Sequence, residues 1–215
     1  MPFRVKTAPS EEPVTLQEAK DQLNLETDED DDLLTTAISA ARGYAEAFCA
    51  RGIVTQTVEF KLDRFPSRGS GAYAFHSCGF LACEPCRACQ LFIDLPFGAL
   101  AETPNLSVKY INEAGSETTL AVTTDYTIDA LSLPPRVHLA YGKSWPTARA
   151  QWDAVTVQYD VGAEPEDVPA GFKQAILLLV ASMYEQRTPE VTGSIVAKVG
   201  LTVEALLAPL KVYTL

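Results

Sequence analysis

The sequence predicts an α+β protein, a small helical bundle interrupted by an inserted antiparallel β sandwich or barrel-like domain. Three observations carry this. Apolar residues recur at helical spacing up to residue 52. The period then changes to two, over seven short segments between residues 53 and 162 with no helix among them. Helical spacing returns after residue 166 in a strongly apolar run. The expected division is 1–52 for the N-terminal helices and 53–165 for the β domain, with a Cys-rich loop at 67–89. Residues 166–215 supply the C-terminal helices and a tail.

The first helix opens in "PVTLQEAKDQLNL", residues 13–25. Thr15 and Glu18 stand at the spacing of a capping box, in which each side chain satisfies the other's free backbone N–H. Val14 can staple onto Ala19, and Leu16, Ala19 and Leu23 share a face. The second helix, within 27–52, carries Leu33, Leu34, Ala37, Ile38, Ala41, Tyr44, Ala45 and Phe48 in the i, i+3, i+4 pattern. Gly52 is placed to end it. The acidic run Asp28, Glu29, Asp30, Asp31, Asp32 lacks the glycine and distal glutamate of a calcium loop. It reads as carboxylates gathered at a positive helix N-terminus.

Strands are expected at 53–66, 90–96, 105–111, 117–122, 125–130, 136–141 and 154–162, separated by the turn signals Asn112–Gly115, Pro134-Pro135 and Gly142. The third helix, 169–190, is apolar nearly all round and is expected to be buried on more than one side. A last short helix starts near Thr202 and is limited by Pro209.

Composition narrows the function. The chain has 215 residues, 47% hydrophobic and 21% charged, enough apolar material for a core. No run approaches the ~18 apolar residues of a membrane span, so no membrane partner is expected, and the N-terminus shows no secretory h-region. The net charge is −11, and the 17 Lys and Arg are scattered along the chain. Affinity for duplex DNA comes from neutralising phosphates, so an acidic chain without a basic cluster should not hold it. The motifs of nucleotide-binding loops and zinc hydrolases are absent, and the two histidines, His76 and His138, sit in no triad context. His138 alternates with Val137 and Leu139 as an outward strand residue. No enzymatic role and no catalytic or cofactor residue is expected.

"HSCGFLACEPCRAC", residues 76–89, gathers His76, Cys78, Cys83, Cys86 and Cys89. Successive x2 spacings suit thiolate ligands of one zinc ion, yet a zinc site usually pairs its knuckles across a longer separation. The other reading is a loop between strands in which Cys is a small apolar residue. No metal is assigned, and a metal-binding adaptor or regulatory protein stands as the alternative function.

With helices and strands placed, the chain resembles the head–tail connector (adaptor) proteins of long-tailed bacteriophages and prophages, also found in gene transfer agents. The resemblance lies in "VTLQEAKDQLNL" (14–25), "LLTTAISAARGYAE" (33–46), "YGKSWPTARAQWDAVTVQYDVG" (141–162), "VPAGFKQAILLLVASMYEQR" (168–187) and "VEALLAPLKV" (203–212). Residues 67–89 are longer than the usual hairpin, and Leu210-Lys211 stands where an aromatic-basic pair is more familiar.

The resemblance implies a structural virion protein, made in the bacterial cytoplasm and located in the particle neck. Copies would form a homo-oligomeric, twelve-fold ring between the portal protein and tail-side connector, stopper or tail terminator proteins. DNA would pass through the lumen without specific binding. The C-terminal segment is too short to bury its own stripe. It either folds back on its own helical core or enters a portal groove. The resemblance favours the groove, making Leu206, Leu207, Leu210, Val212 and Tyr213 candidate portal-binding residues. Deleting 206–215 would then leave a folded protein unable to dock.

Overall fold

The structure, a computed structural model, describes residues 3–66, 92–98, 100–101, 105–185 and 203–212. The chain divides into two compact units, one containing Pro9–Gln56 and Val161–Val212, the other Met1–Ala8 and Thr57–Asp160.

The first unit is helical. Helix α1 (Leu16–Leu23) begins at Thr15, whose hydroxyl accepts from the Glu18 N–H while the Glu18 carboxylate accepts from the Thr15 N–H, the expected capping box. Asn24 ends it in the left-handed region. Helix α2 (Asp31–Cys49) follows. Its end departs from expectation, because Ala50 takes the left-handed cap conformation in place of Gly52. Gly52 serves packing instead, since a Cβ there would stand 2.6 Å from the Val161 side chain.

Helix α3 (Ala170–Glu185) and the short α4 (Val203–Leu207) with its 3₁₀ extension (Ala208–Leu210) complete the unit. Leu34, Ile38, Ala41, Ala45 and Cys49 of α2 meet Phe172, Ala175, Ile176 and Val180 of α3 in one core, with Val14, Ala19 and Leu207. Phe48 and Leu179 pack against it, half-buried. The all-round apolar surface of α3 is not buried all round, for Leu177, Leu178 and Leu179 remain partly exposed. Ile38 is 3% exposed at the centre. Ile38→Ala should cost about 2–5 kcal/mol, the transfer and cavity terms together, read by urea denaturation.

Gly162 fixes the route back into the helices. Its φ is +92°, and a Cβ there would collide with the Val54 carbonyl. The close approach lets Thr55 N–H donate to the Ala163 carbonyl and Ala163 N–H to the Ile53 carbonyl.

The second unit holds two sheets. Strands β1 (Phe3–Thr7), β2 (Gln56–Leu62), β8 (Val155–Val161), β4 (Ser107–Ile111) and β5 (Glu117–Thr119) lie side by side in that order. Strands β3 (Ile93–Asp94), β7 (Arg136–Leu139) and β6 (Tyr126–Asp129) form a three-stranded antiparallel sheet. Among the described residues neither sheet closes into a barrel, and the helices with two sheets make the expected α+β fold. All seven sequence-predicted strands contain an observed one.

Strand β8 alternates buried and half-buried residues along its length, the period-2 signature of one inward face. Val155, Val157, Tyr159, Val58, Phe60 and Val108 are buried from the larger sheet, and Ile93, Val137 and Tyr126 from the smaller. The buried tyrosines keep their hydroxyls satisfied, Tyr126 donating to the Leu106 carbonyl and Tyr159 to the Pro96 carbonyl.

Candidate interaction surfaces

Four of the five C-terminal candidates lie among the described residues, and three of them, Leu206, Leu207 and Leu210, pack on the helical unit's own core. Leu207 is fully buried and Val212 is 5% exposed. Leu206 and Leu210 sit half-buried against the same cluster. Backbone bonding reinforces the docking, since Val212 N–H donates to the Cys49 carbonyl at 2.9 Å. Lys211 Nζ lies 5.0 Å from the centre of the Phe48 ring. In the single chain, Leu206, Leu207 and Leu210 thus lie against the segment's own helical core. Leu207 and Val212 face inward, while Leu206 and Leu210 keep partial exposure. Tyr213 lies outside the described residues.

The acidic run has a specific packing role. Lys20 Nζ on α1 sits 2.6 Å from Asp28 Oδ1 and 2.5 Å from Asp31 Oδ1. These hydrogen bonds raise the Lys20 pKa above its ordinary value, and Lys20 lowers that of Asp28. Asp30 Oδ2 accepts from the Tyr184 hydroxyl of α3 at 2.6 Å. The carboxylates that cluster at the start of α2 therefore tie three helices together.

The basic residues, scattered in sequence, are brought together by the fold. Arg4, Lys6, Lys61 and Lys109 share one polar face of the five-stranded sheet. They are interleaved with acids: Arg4 meets Glu59 at 2.9 Å, Lys61 meets Asp153 at 3.3 Å and Lys109 meets Glu117 at 2.9 Å. Lys6 donates to Gln158 at 2.7 Å. Four cations beside three carboxylates do not make an anion site.

The connection between β7 and β8 places its aromatics differently. Trp145 stacks on Phe65 with centroids 4.9 Å apart and planes 8° from parallel. Tyr141 and Trp152 stand in solvent, Trp152 at 85% exposure. In the sequence all three fall in one stretch of the resemblance, 141–162, and nothing there shows this division, which depends on where Phe65 lies. His138 is half-buried, its ring centroid 5.5 Å from that of Phe92.

Among the described residues no three His, Cys, Asp or Glu side chains gather as metal ligands. His76, Cys78, Cys83, Cys86 and Cys89 lie outside those residues. No helix of the described residues is long and apolar enough to cross a membrane.

Over residues 13–66 the chain matches the family model of phage gp6-like head-tail connector proteins. No curated protein matches it. Solved structures match along the full length. The neck of an empty gene transfer agent particle, computed with sixfold symmetry, aligns with 100% of this chain and 97% of its own at 20% identity and TM-score 0.73. The virion of the native particle gives 19% identity and 0.72 over the same coverage. The native neck computed with twelvefold symmetry gives 18% and 0.69, again over 100% and 97%. Over its N-terminal quarter the chain is thus similar to phage gp6-like head–tail connector proteins, and end to end it shares the fold of a chain in a gene transfer agent neck.

Proposed function

We propose that the protein is a structural component of a particle neck, a non-enzymatic connector that joins a portal to tail-side connector, stopper or terminator proteins and continues the DNA channel. The observation that carries this is the full-length match to neck proteins, where 97% of the partner chain is accounted for. The sixfold and twelvefold symmetry of those particles supports a homo-oligomeric ring, twelve-fold in this reading. The C-terminal segment is the portal-facing element. Leu206 and Leu210 offer apolar surface, Leu207 and Val212 hold the segment in place, and Tyr213 follows them.

Charge suits the role. With −11 per chain, a ring of about a dozen copies carries on the order of a hundred excess negative charges, which keeps phosphate from sticking. The protein alone should show no gel-shift of duplex DNA at about 0.15 M salt, because three of its four clustered cations are already met by carboxylates. A micromolar, strongly salt-dependent shift would contradict the lumen reading. The connector reading itself is tested by capture on purified portal rings. Binding at one axial end of the portal, seen by electron microscopy, is the expected result, and absence of capture overturns it.

A further inference from the structure

The five-stranded sheet has two open edges, β1 and β5. Among the described residues no strand pairs with the outer side of either. Edge strands present unpaired N–H and C=O groups that another strand can take up. Strand β1 is exposed along its whole length. Its register sets Phe3 opposite Phe60 and Val5 opposite Val58, on the sheet's buried face. Phe60 and Val58 are buried, whereas Phe3 is 42% and Val5 44% exposed. Phe97 meets Phe3 with ring centroids 5.2 Å apart, and beyond that the apolar face of the sheet continues past what the described residues of its own unit cover. No proline blocks β1, and Arg4 and Lys6 lie on the opposite, polar face.

The far edge differs in sign. Strand β5 and the turn before it carry Glu117 and Glu113, both exposed. Glu117 meets Lys109 of β4 at 2.9 Å, and Glu113 adds a second negative charge at that end. Pairing β1 with β1, or β5 with β5, would bring like charges together. Pairing β1 with β5 brings Arg4 and Lys6 toward Glu113 and Glu117.

We propose that the β1 edge of one copy pairs with the β5 edge of the next, so that the sheets of neighbouring copies run on into one another. The contact is heterologous, two different patches meeting head to tail, which is the kind of contact that closes into a ring. It buries Phe3 and Val5 and satisfies both strand edges. This inference rests on the ring reading above.

A charge swap tests it. Wild-type full-length protein is assembled in solution or on isolated portal rings, and copy number is read by mass photometry or electron microscopy. Lys6→Glu places an acid on each side of the contact, and Glu117→Lys places a base on each side. Each variant alone should assemble about tenfold more weakly while melting like the wild type. Mixed in equal amounts they should regain assembly, because each then offers the other an opposite charge at both edges. Either variant assembling alone like the wild type, or a mixture that stays dispersed, overturns the edge pairing and leaves the ring reading standing. A wild-type protein that captures on portals but never forms a multi-copy assembly overturns both the ring and the edge pairing.

Discussion

Replacing Glu46 with alanine is expected to destabilise the helical unit by about 3–5 kcal/mol, the cost of breaking a buried ion pair from one side. The Glu46 side chain is 8% exposed and that of Arg42, one turn earlier on α2, is 13% exposed. Glu46 accepts from Arg42 Nη1 at 3.1 Å, from the Ile53 N–H at 3.1 Å and from Gln56 Nε2 at 2.8 Å. Arg42 also donates to Glu12 at 2.7 Å. One carboxylate thus joins the end of α2 to the backbone that turns away from it. Alanine would leave the Ile53 N–H and the Gln56 amide buried without a partner and Arg42 with half its anionic neighbours.

Burial pushes the Glu46 carboxyl above its ordinary range, against the pull of the hydrogen bonds and Arg42. Its charged form therefore weighs against the fold at neutral pH, and that cost fades as pH falls through the raised value. Glu46→Gln keeps the shape and one acceptor oxygen, so it should lose less than alanine and show a flatter stability curve in mildly acid solution. Urea denaturation at several pH values reads both effects. A Glu46→Ala protein within about 1 kcal/mol of wild type would show that the network does not support the fold.

This network was not visible in the sequence, and the reason is physical. What could be read rested on local chemistry. Thr15 and Glu18 are three residues apart, and Leu34, Ile38 and Ala41 repeat within one helix, so their roles need no knowledge of the rest of the chain. Strand periodicity was legible for the same reason, as the alternation along β8 shows.

The features that escaped depend on partners far along the chain. Five residues with two apolar members, Phe3 and Val5, do not announce a strand until β2 lies beside them. Gly52 looked like a helix end, but its demand for space comes from Val161. The last of the described strands, β8, sits at the centre of its sheet, and nothing local to Val155–Val161 says so. Arg4, Lys6, Lys61 and Lys109 look dispersed until strand order brings them onto one face. The C-terminal stripe was legible as a stripe, since Leu206, Leu207 and Leu210 fall on helical spacing, but a stripe does not name the surface that covers it.

That last point reverses one expected outcome. Deleting residues 206–215 should unfold or severely destabilise the helical unit, where the sequence alone suggested a folded protein that cannot dock. The deletion removes Leu207, fully buried in the core, and Val212, 5% exposed. It takes away the Val212 N–H bond to the Cys49 carbonyl and the Leu207 carbonyl near Cys49 Sγ. Truncating one buried aliphatic side chain costs about 2–5 kcal/mol. Two of them amount to a large share of the ~5–15 kcal/mol that holds a typical domain. The expected readout is loss of the cooperative thermal transition. A truncated chain that melts within a few degrees of wild type would mean that the segment adds nothing to the core it covers. Because the deletion confounds folding with docking, portal binding is better probed at Leu210, which is only partly buried. Leu210→Ser removes apolar surface there but spares Leu207 and Val212, so the protein should fold with a modest loss. If the segment faces the portal, capture on portal rings should fall well beyond what the change in melting accounts for. Undiminished capture would move the docking surface away from this segment.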